Sequence, residues 1–125
     1  MRFLVFAFIL INSAICNSQL AEFSIETPLY KSEKVVEGTP VLHAFIVKNT
    51  GTAPLVISNY KVACACTKIT YPKSIAVGAT DTIKLSFDTN GKYYQQDRNI
   101  LLFTNTKKGQ ETLRFKVFVI PKDEQ

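Results

Sequence analysis

Thr80–Asp88 reads TDTIKLSFD. Ile83, Leu85 and Phe87 alternate with Thr82, Lys84, Ser86 and Asp88, and successive side chains of an extended chain point to opposite faces. The stretch therefore predicts a strand with one buried and one solvated face. Glu111–Ile120, ETLRFKVFVI, repeats the pattern: Leu113, Phe115, Val117 and Val119 share a face, with Arg114 and Lys116 opposite. It too reads as a half-buried strand. Val41–Asn49, VLHAFIVKN, is apolar on both faces and reads as a more central strand.

Turn chemistry separates these runs. Asn49–Ala53 (NTGTA), Val77–Ala79 (VGA), Asp88–Lys92 (DTNGK) and Thr104–Gly109 (TNTKKG) supply the Gly, Asn and Asp that tight turns use. Strands are expected near residues 22–26, 33–37, 41–48, 55–62, 80–88, 98–104 and 112–120. Beyond the amino terminus no helix-length window shows a helical stripe, and β-branched and aromatic residues dominate the apolar positions. The expectation is an all-β fold, an Ig-like two-sheet antiparallel sandwich of about seven strands.

The amino terminus has a different character. Arg2, the apolar run Phe3–Ile11 and the small polar exit NSAICNSQ have the layout of a secretory signal peptide. The run falls short of the roughly 20 apolar residues a spanning helix needs. Residues 1–18 are read as a signal peptide cleaved after Cys16 or Ser18, and residues 19–125 as one domain. The protein is thus expected to be exported, to a periplasm, a cell surface or the medium, with no transmembrane segment. A lipid anchor on Cys16 is the alternative, and Ile15 and Ser13 stand where lipoprotein processing wants a small and a Leu-like residue.

Without Arg2, fourteen basic residues face ten acidic ones, and the lysines are spread from Lys31 to Lys122. That is a solvated surface, without the basic stripe or stacking aromatics of a nucleic-acid reader. Glu33, Glu37, Asp81 and Asp88 read as solvated strand ends and turns, and no phosphate-cradling glycine loop is present.

Cys64 and Cys66 are the thiols of the expected mature chain, one residue apart in VACACTKI. Side chains two apart on an extended strand share a face about 6.6 Å from each other, whereas a disulfide brings its Cβ atoms to about 3.8 Å. A bridge therefore demands a bulge or turn at Ala65, while an oxidising compartment favours one. His43 is the single histidine. With the two thiols it would make three ligands, one short of a structural zinc site, and the lone methionine is the initiator. Its plainer role is a hydrogen-bonded histidine at a sheet edge or face. Thiol catalysis needs a base and an orienter beside the nucleophile, and redox enzymes more typically carry CxxC at a helix start. No catalytic set, cofactor site or metal site is read from the sequence, and the chain is expected not to be an enzyme.

The order of segments resembles the exported bacterial domain-of-unknown-function family fifteen seventy-three, related in fold to ASH/Hydin and PapD-like immunoglobulin modules. The resemblance rests on His43, Phe45, Lys48-Asn49-Thr50-Gly51, Pro54-Leu55-Val56-Ile57, Cys64-Ala65-Cys66-Thr67, Pro72-Lys73, Ile75, Gly78, Phe87-Asp88-Thr89, Gly91-Lys92 and Thr104-Asn105. It implies a fold and an envelope location, without an activity. The family usually reads Ser-Cys-Gly-Cys-Thr where this chain has Ala63 and Ala65. A central glycine could take a positive φ that costs alanine about 1–2 kcal/mol, so the tight turn is expected to be handicapped here. Two functions remain: a binding or structural module that engages another protein or envelope component, and a thiol-based redox or metal-handling protein using Cys64 and Cys66.

Overall fold

The computed structural model describes residues 19–124. The expected signal peptide, with its cleavage positions and Cys16, lies outside the described residues. Ten strands follow in chain order: β1 (Phe23–Ile25), β2 (Leu29–Lys31), β3 (Val35–Val36), β4 (Val41–Asn49), β5 (Leu55–Val62), β6 (Thr67–Thr70), β7 (Ser74–Ile75), β8 (Thr80–Phe87), β9 (Tyr94–Thr104) and β10 (Gln110–Ile120). They form a four-stranded sheet, β1-β4-β8-β6, and a six-stranded sheet, β2-β10-β9-β5-β7, with β3 also on β10. The two pack face to face as an all-β, Ig-like sandwich.

The long strands lie where the period of two puts them, and their inward faces build the core. Ile83, Leu85 and Phe87 of β8, Phe45 and Val47 of β4, and Leu113, Phe115, Val117 and Val119 of β10 are all buried. Phe87 from one sheet meets Phe115 from the other with ring centroids 5.0 Å apart. Packing of this kind across the two inner faces holds a sandwich together.

Three strands go beyond the seven expected. β2, β6 and β7 have two to four residues each, too few to show a period, and they exist because a longer neighbour offers its edge. The sheets are also not wholly antiparallel. After β1 pairs with β4, the chain turns at Glu26–Pro28 and crosses to the other sheet, where β2 and then β3 run parallel to β10. Pro28, which has no N–H to give, accepts there from the Arg114 N–H at 2.9 Å. β9 begins at Tyr94, earlier than its polar opening YQQD suggested, because β10 supplies a partner down to Val119.

β4 is an interior strand, flanked by β1 and β8, yet only one of its faces is covered. Leu42 and Ile46 remain 66% and 64% exposed.

The assigned faces give a direct test by urea denaturation. Phe87→Ala should cost on the order of 3–5 kcal/mol, whereas Lys84→Ala, on the outer face of the same strand, should stay within about 0.5 kcal/mol. Equal losses would contradict the packing.

Candidate functional site

β5 leaves the six-stranded sheet at Val62, and the chain re-enters as β6 in the other sheet at Thr67. Ala63–Cys66 make the crossing. Within it the Cys64 and Cys66 sulfurs are bonded at 2.10 Å, with Cα atoms 5.1 Å apart. The Thr67 N–H donates to the Cys64 carbonyl at 3.1 Å, and the Asp88 N–H donates to the Cys66 carbonyl at 2.9 Å. The bond therefore sits in a turn between sheets, the departure from strand geometry that a bridge at this spacing demands.

The expected handicap of alanine at the centre of the pair does not operate. Among the described non-glycine residues only Tyr94 has a positive φ, 63°, so Ala65 turns the chain within ordinary backbone space. Cys66 packs against the core, while Cys64 is half-buried and Ala65 exposed.

His43 is placed differently from its expected role. Its ring stacks on Tyr30 with centroids 3.7 Å apart and planes 7° from parallel, and meets Phe45 edge-on at 4.7 Å. Stacking holds it, and among the described residues no hydrogen bond does. Its register partner is Leu85, whereas the cysteine turn lies at Asp88, beyond the end of β8. The structure does not bring His43 to the sulfurs as a third ligand or a base. Among the described residues no three His, Cys, Asp or Glu side chains gather in metal-binding fashion.

Beside the cysteine turn runs an open sheet edge. β5 pairs with β9 along one side, to Val62, but on its other side meets β7 only at Leu55 and Val56. The Ile57 N–H still donates to Lys73, at 3.0 Å, and the Tyr71 hydroxyl reaches the Ser58 carbonyl at 3.5 Å. On that side Asn59–Val62 have no strand beside them among the described residues. The Tyr60 N–H is taken instead by the Asn59 carboxamide oxygen at 2.8 Å. Partly buried Tyr60, Val62, Cys66 and Tyr71 line this flank of the core, with the Tyr60 and Tyr71 rings 5.9 Å apart, edge to face.

Other residues that carried the family resemblance close the fold. The buried Asn49 carboxamide donates to the Ala53 and Ile75 carbonyls at 2.8 and 3.1 Å and accepts from the Glu22 and Gly51 N–H groups at 3.3 and 3.0 Å. Buried Thr89 donates to the Thr39 carbonyl at 2.7 Å and accepts from the Gly38 N–H at 2.9 Å. Asn105 accepts from Val56 at 2.8 Å and donates to Pro54 at 2.9 Å. Glu37, expected to be merely solvated, accepts from the Gly91 N–H at 3.0 Å.

Two features were not read from the sequence. Tyr94 adopts a left-handed conformation at the start of β9, which costs about 1–2 kcal/mol. Its ring lies 6.0 Å from Phe118, and its hydroxyl bonds Glu124, which with partial desolvation and the nearby negative charge raises the phenol pKa. Asp97 and Arg114 form an exposed two-pronged pair at 2.7 and 2.5 Å. The hydrogen bond from Arg114 holds the Asp97 carboxyl below its usual range.

The geometry defines an Ig-like sandwich with a short disulfide-closed crossing and a β5 edge left partly open among the described residues. The family profile described as Protein of unknown function (DUF1573) matches residues 23–119, and the chain belongs to that family. Among curated proteins no sequence matches. Of solved structures, a protein of unknown function from Porphyromonas gingivalis W83 is similar with TM-score 0.67 at 12% identity, over 80% of this chain and 46% of that one. The ASH/PapD-like domain 7 of human CEP192 is similar with TM-score 0.57 at 13% identity, over 82% and 86%. The secreted serine protease VesC of Vibrio cholerae gives 0.58 at 15% identity, over 79% and 23%. The chain thus spans less than half of the Porphyromonas and Vibrio chains. At these identities the likeness is one of fold.

Two measurements follow from the site. The Cys64→Ser/Cys66→Ser double variant should fold, with a loss on the order of 1–2 kcal/mol, because the loop closed by the bond is very short. Ala65→Gly should lower stability by about 0.4–1 kcal/mol through unfolded-state entropy. A double variant that fails to fold, or a glycine that stabilises, would contradict this reading of the turn. Burial lowers the His43 pKa below its ordinary 6.5, so at mildly acid pH the unfolded chain binds the proton more readily. That stability is present above the unfolded-state pKa and is lost as pH falls through it toward the lower folded value. Denaturation midpoints should drop from about pH 7 to about pH 5 in the parent. In His43→Phe, which keeps the stack and removes the proton, that drop should shrink.

Proposed function

We propose that this protein is a non-enzymatic, exported module of the cell envelope that takes an extended segment of a partner protein onto the free edge of β5. The observation that carries the reading is that, among the described residues, Asn59–Val62 pair with β9 on one side only. A row of main-chain donors and acceptors invites another strand, and the half-buried Tyr60, Val62 and Tyr71 beside it offer apolar surface for that strand's side chains to cover. Asn59, by occupying the Tyr60 N–H, guards the edge until the partner displaces it. The signal-like layout of Arg2, Phe3–Ile11 and the polar exit supports export. Among the described residues no helix is long and apolar enough to cross a membrane.

A photo-crosslinking residue at Lys61 should capture a partner protein in the producing cells, whereas one at Lys108, on the β9–β10 turn, should not. Asn59→Ala, which uncaps the edge, should raise the yield at Lys61. Equal capture at both positions, or no response to Asn59→Ala, would count against strand addition. The purified native protein should begin at Asn17 or Gln19 by intact mass, and an intact Met1 or an acylated Cys16 would revise the export reading.

The second reading, redox or metal handling through Cys64 and Cys66, is favoured by the sulfur pair in a turn with exposed Ala65 at its centre. A metal that binds the native state must stabilise it. A rise in melting temperature when copper or zinc is added to the reduced protein would favour this reading over the first.

A further inference from the structure

The second candidate surface lies on the other sheet, facing outward. Along β4 the outward positions are Leu42, Ala44, Ile46 and Lys48, and across the ladder they pair with Ser86, Lys84, Thr82 and Thr80 of β8. Lys68 of β6 stands beside Ser86, and Thr70 beside Lys84. Ser24 of β1 stands beside Lys48. The face is thus a line of aliphatic side chains set among three lysines and small hydroxyl residues, and no carboxylate occupies any of these positions. Glu26, past the end of β1, lies at its rim, as does Glu22 before β1, whose carboxylate accepts from the Thr50 hydroxyl at 3.1 Å. The outer face of the six-stranded sheet is different in kind, since there Asp97 neutralises Arg114.

Leu42 and Ile46 are 66% and 64% exposed in the middle of a strand, where a sheet facing water ordinarily carries polar residues. Three occupants can be weighed against this composition. A second copy of the chain would set the same three lysines against each other, and like charges across an interface oppose association. A protein partner ordinarily meets aromatic and arginine anchors with lysine depleted, and this face has neither anchor. An anionic bilayer fits all the parts. It is broad and flat like the sheet, its acyl boundary accepts isolated aliphatic side chains, and its headgroups attract lysines that keep their charge in water while their stems lie along apolar surface.

We propose that the outer face of the β1-β4-β8-β6 sheet docks on an anionic lipid surface, Leu42 and Ile46 entering the headgroup–acyl boundary and Lys48, Lys68 and Lys84 pairing with lipid phosphates. This surface is separate from the β5 edge, and either function can hold without the other.

The test is co-sedimentation of the full chain with phosphatidylcholine vesicles containing about one-third phosphatidylglycerol and with phosphatidylcholine alone. Each lysine near an anionic surface strengthens binding about fivefold, so Lys48→Gln/Lys68→Gln/Lys84→Gln should weaken partitioning about a hundredfold. Leu42→Ser/Ile46→Ser should weaken it at least about tenfold. Both variants should keep the parent's melting temperature, since every altered side chain faces solvent, and binding by the parent should fall steeply as salt is raised. Variants that bind as the parent does, or a parent that binds neither vesicle, would overturn the proposal. So would equal binding to neutral and anionic vesicles, the result expected if the Phe3–Ile11 run were inserting instead. Capture at Lys61 should be unchanged by the lysine substitutions, which separates failure here from failure of strand addition.

Discussion

The carboxamide of Asn49 is the constraint from which the ends of this sandwich take their shape. It is fully buried, and its donors and acceptor serve the β1 approach at Glu22, the β4–β5 turn at Gly51 and Ala53, and β7 at Ile75. Main-chain groups in an apolar interior cost about 1–3 kcal/mol each when left unsatisfied, so a side chain that answers four of them replaces a strand that the topology does not provide there. The neighbouring glycine completes the device. A Cβ on Gly51 would lie 2.1 Å from the Leu20 carbonyl oxygen and 2.6 Å from the Glu22 nitrogen, both main-chain atoms without freedom to move aside. The amino-terminal segment can lie against β4 only because position 51 has no side chain.

The same solution recurs at other loops. Thr89 ties the β3–β4 connection to the β8–β9 connection, and Asn105 ties the end of β9 to the start of β5. These three residues are among those on which the sequence resemblance rests, and each is consumed by main-chain partners. The motif thus encodes how an Ig-like sandwich closes its ends. The proposed recognition rests instead on groups that the fold leaves unspent, at the edge of β5 and on the open face of β4.

What the sequence disclosed follows from the length over which each force acts. β8 and β10 run long enough for inside and outside to alternate several times, so Ile83, Leu85, Phe87 and Leu113–Val119 announced both strand and core. β2, β6 and β7 owe their conformation to neighbours distant in the chain, and nothing local marks Leu29–Lys31 or Ser74–Ile75. His43 was ambiguous for a related reason: the ring that holds it, Tyr30, belongs to the opposite sheet. β4 takes the central position that its pattern suggested, between β1 and β8. A strand apolar on both faces ordinarily means cover on both, and here the second cover is absent among the described residues, so Leu42 and Ile46 mark a surface.

The cysteine pair and the open edge have one cause. Two packed sheets lie about 10 Å apart, and the chain passes from Val62 to Thr67 through four residues. A crossing so short must turn sharply, and that turn brings Cys64 and Cys66 together where a continuing strand would have held them apart. The same crossing removes the chain from the six-stranded sheet just where a hairpin would have laid the next strand against β5. β6 is committed to β8, and the chain returns only at β7, beside Leu55 and Val56. On the side away from β9, Asn59–Val62 therefore lack a strand among the described residues for the reason that allows the sulfurs to meet. A bond that fixes the crossing also fixes the edge, so the cysteines can matter to recognition as architecture, without thiol chemistry at any step.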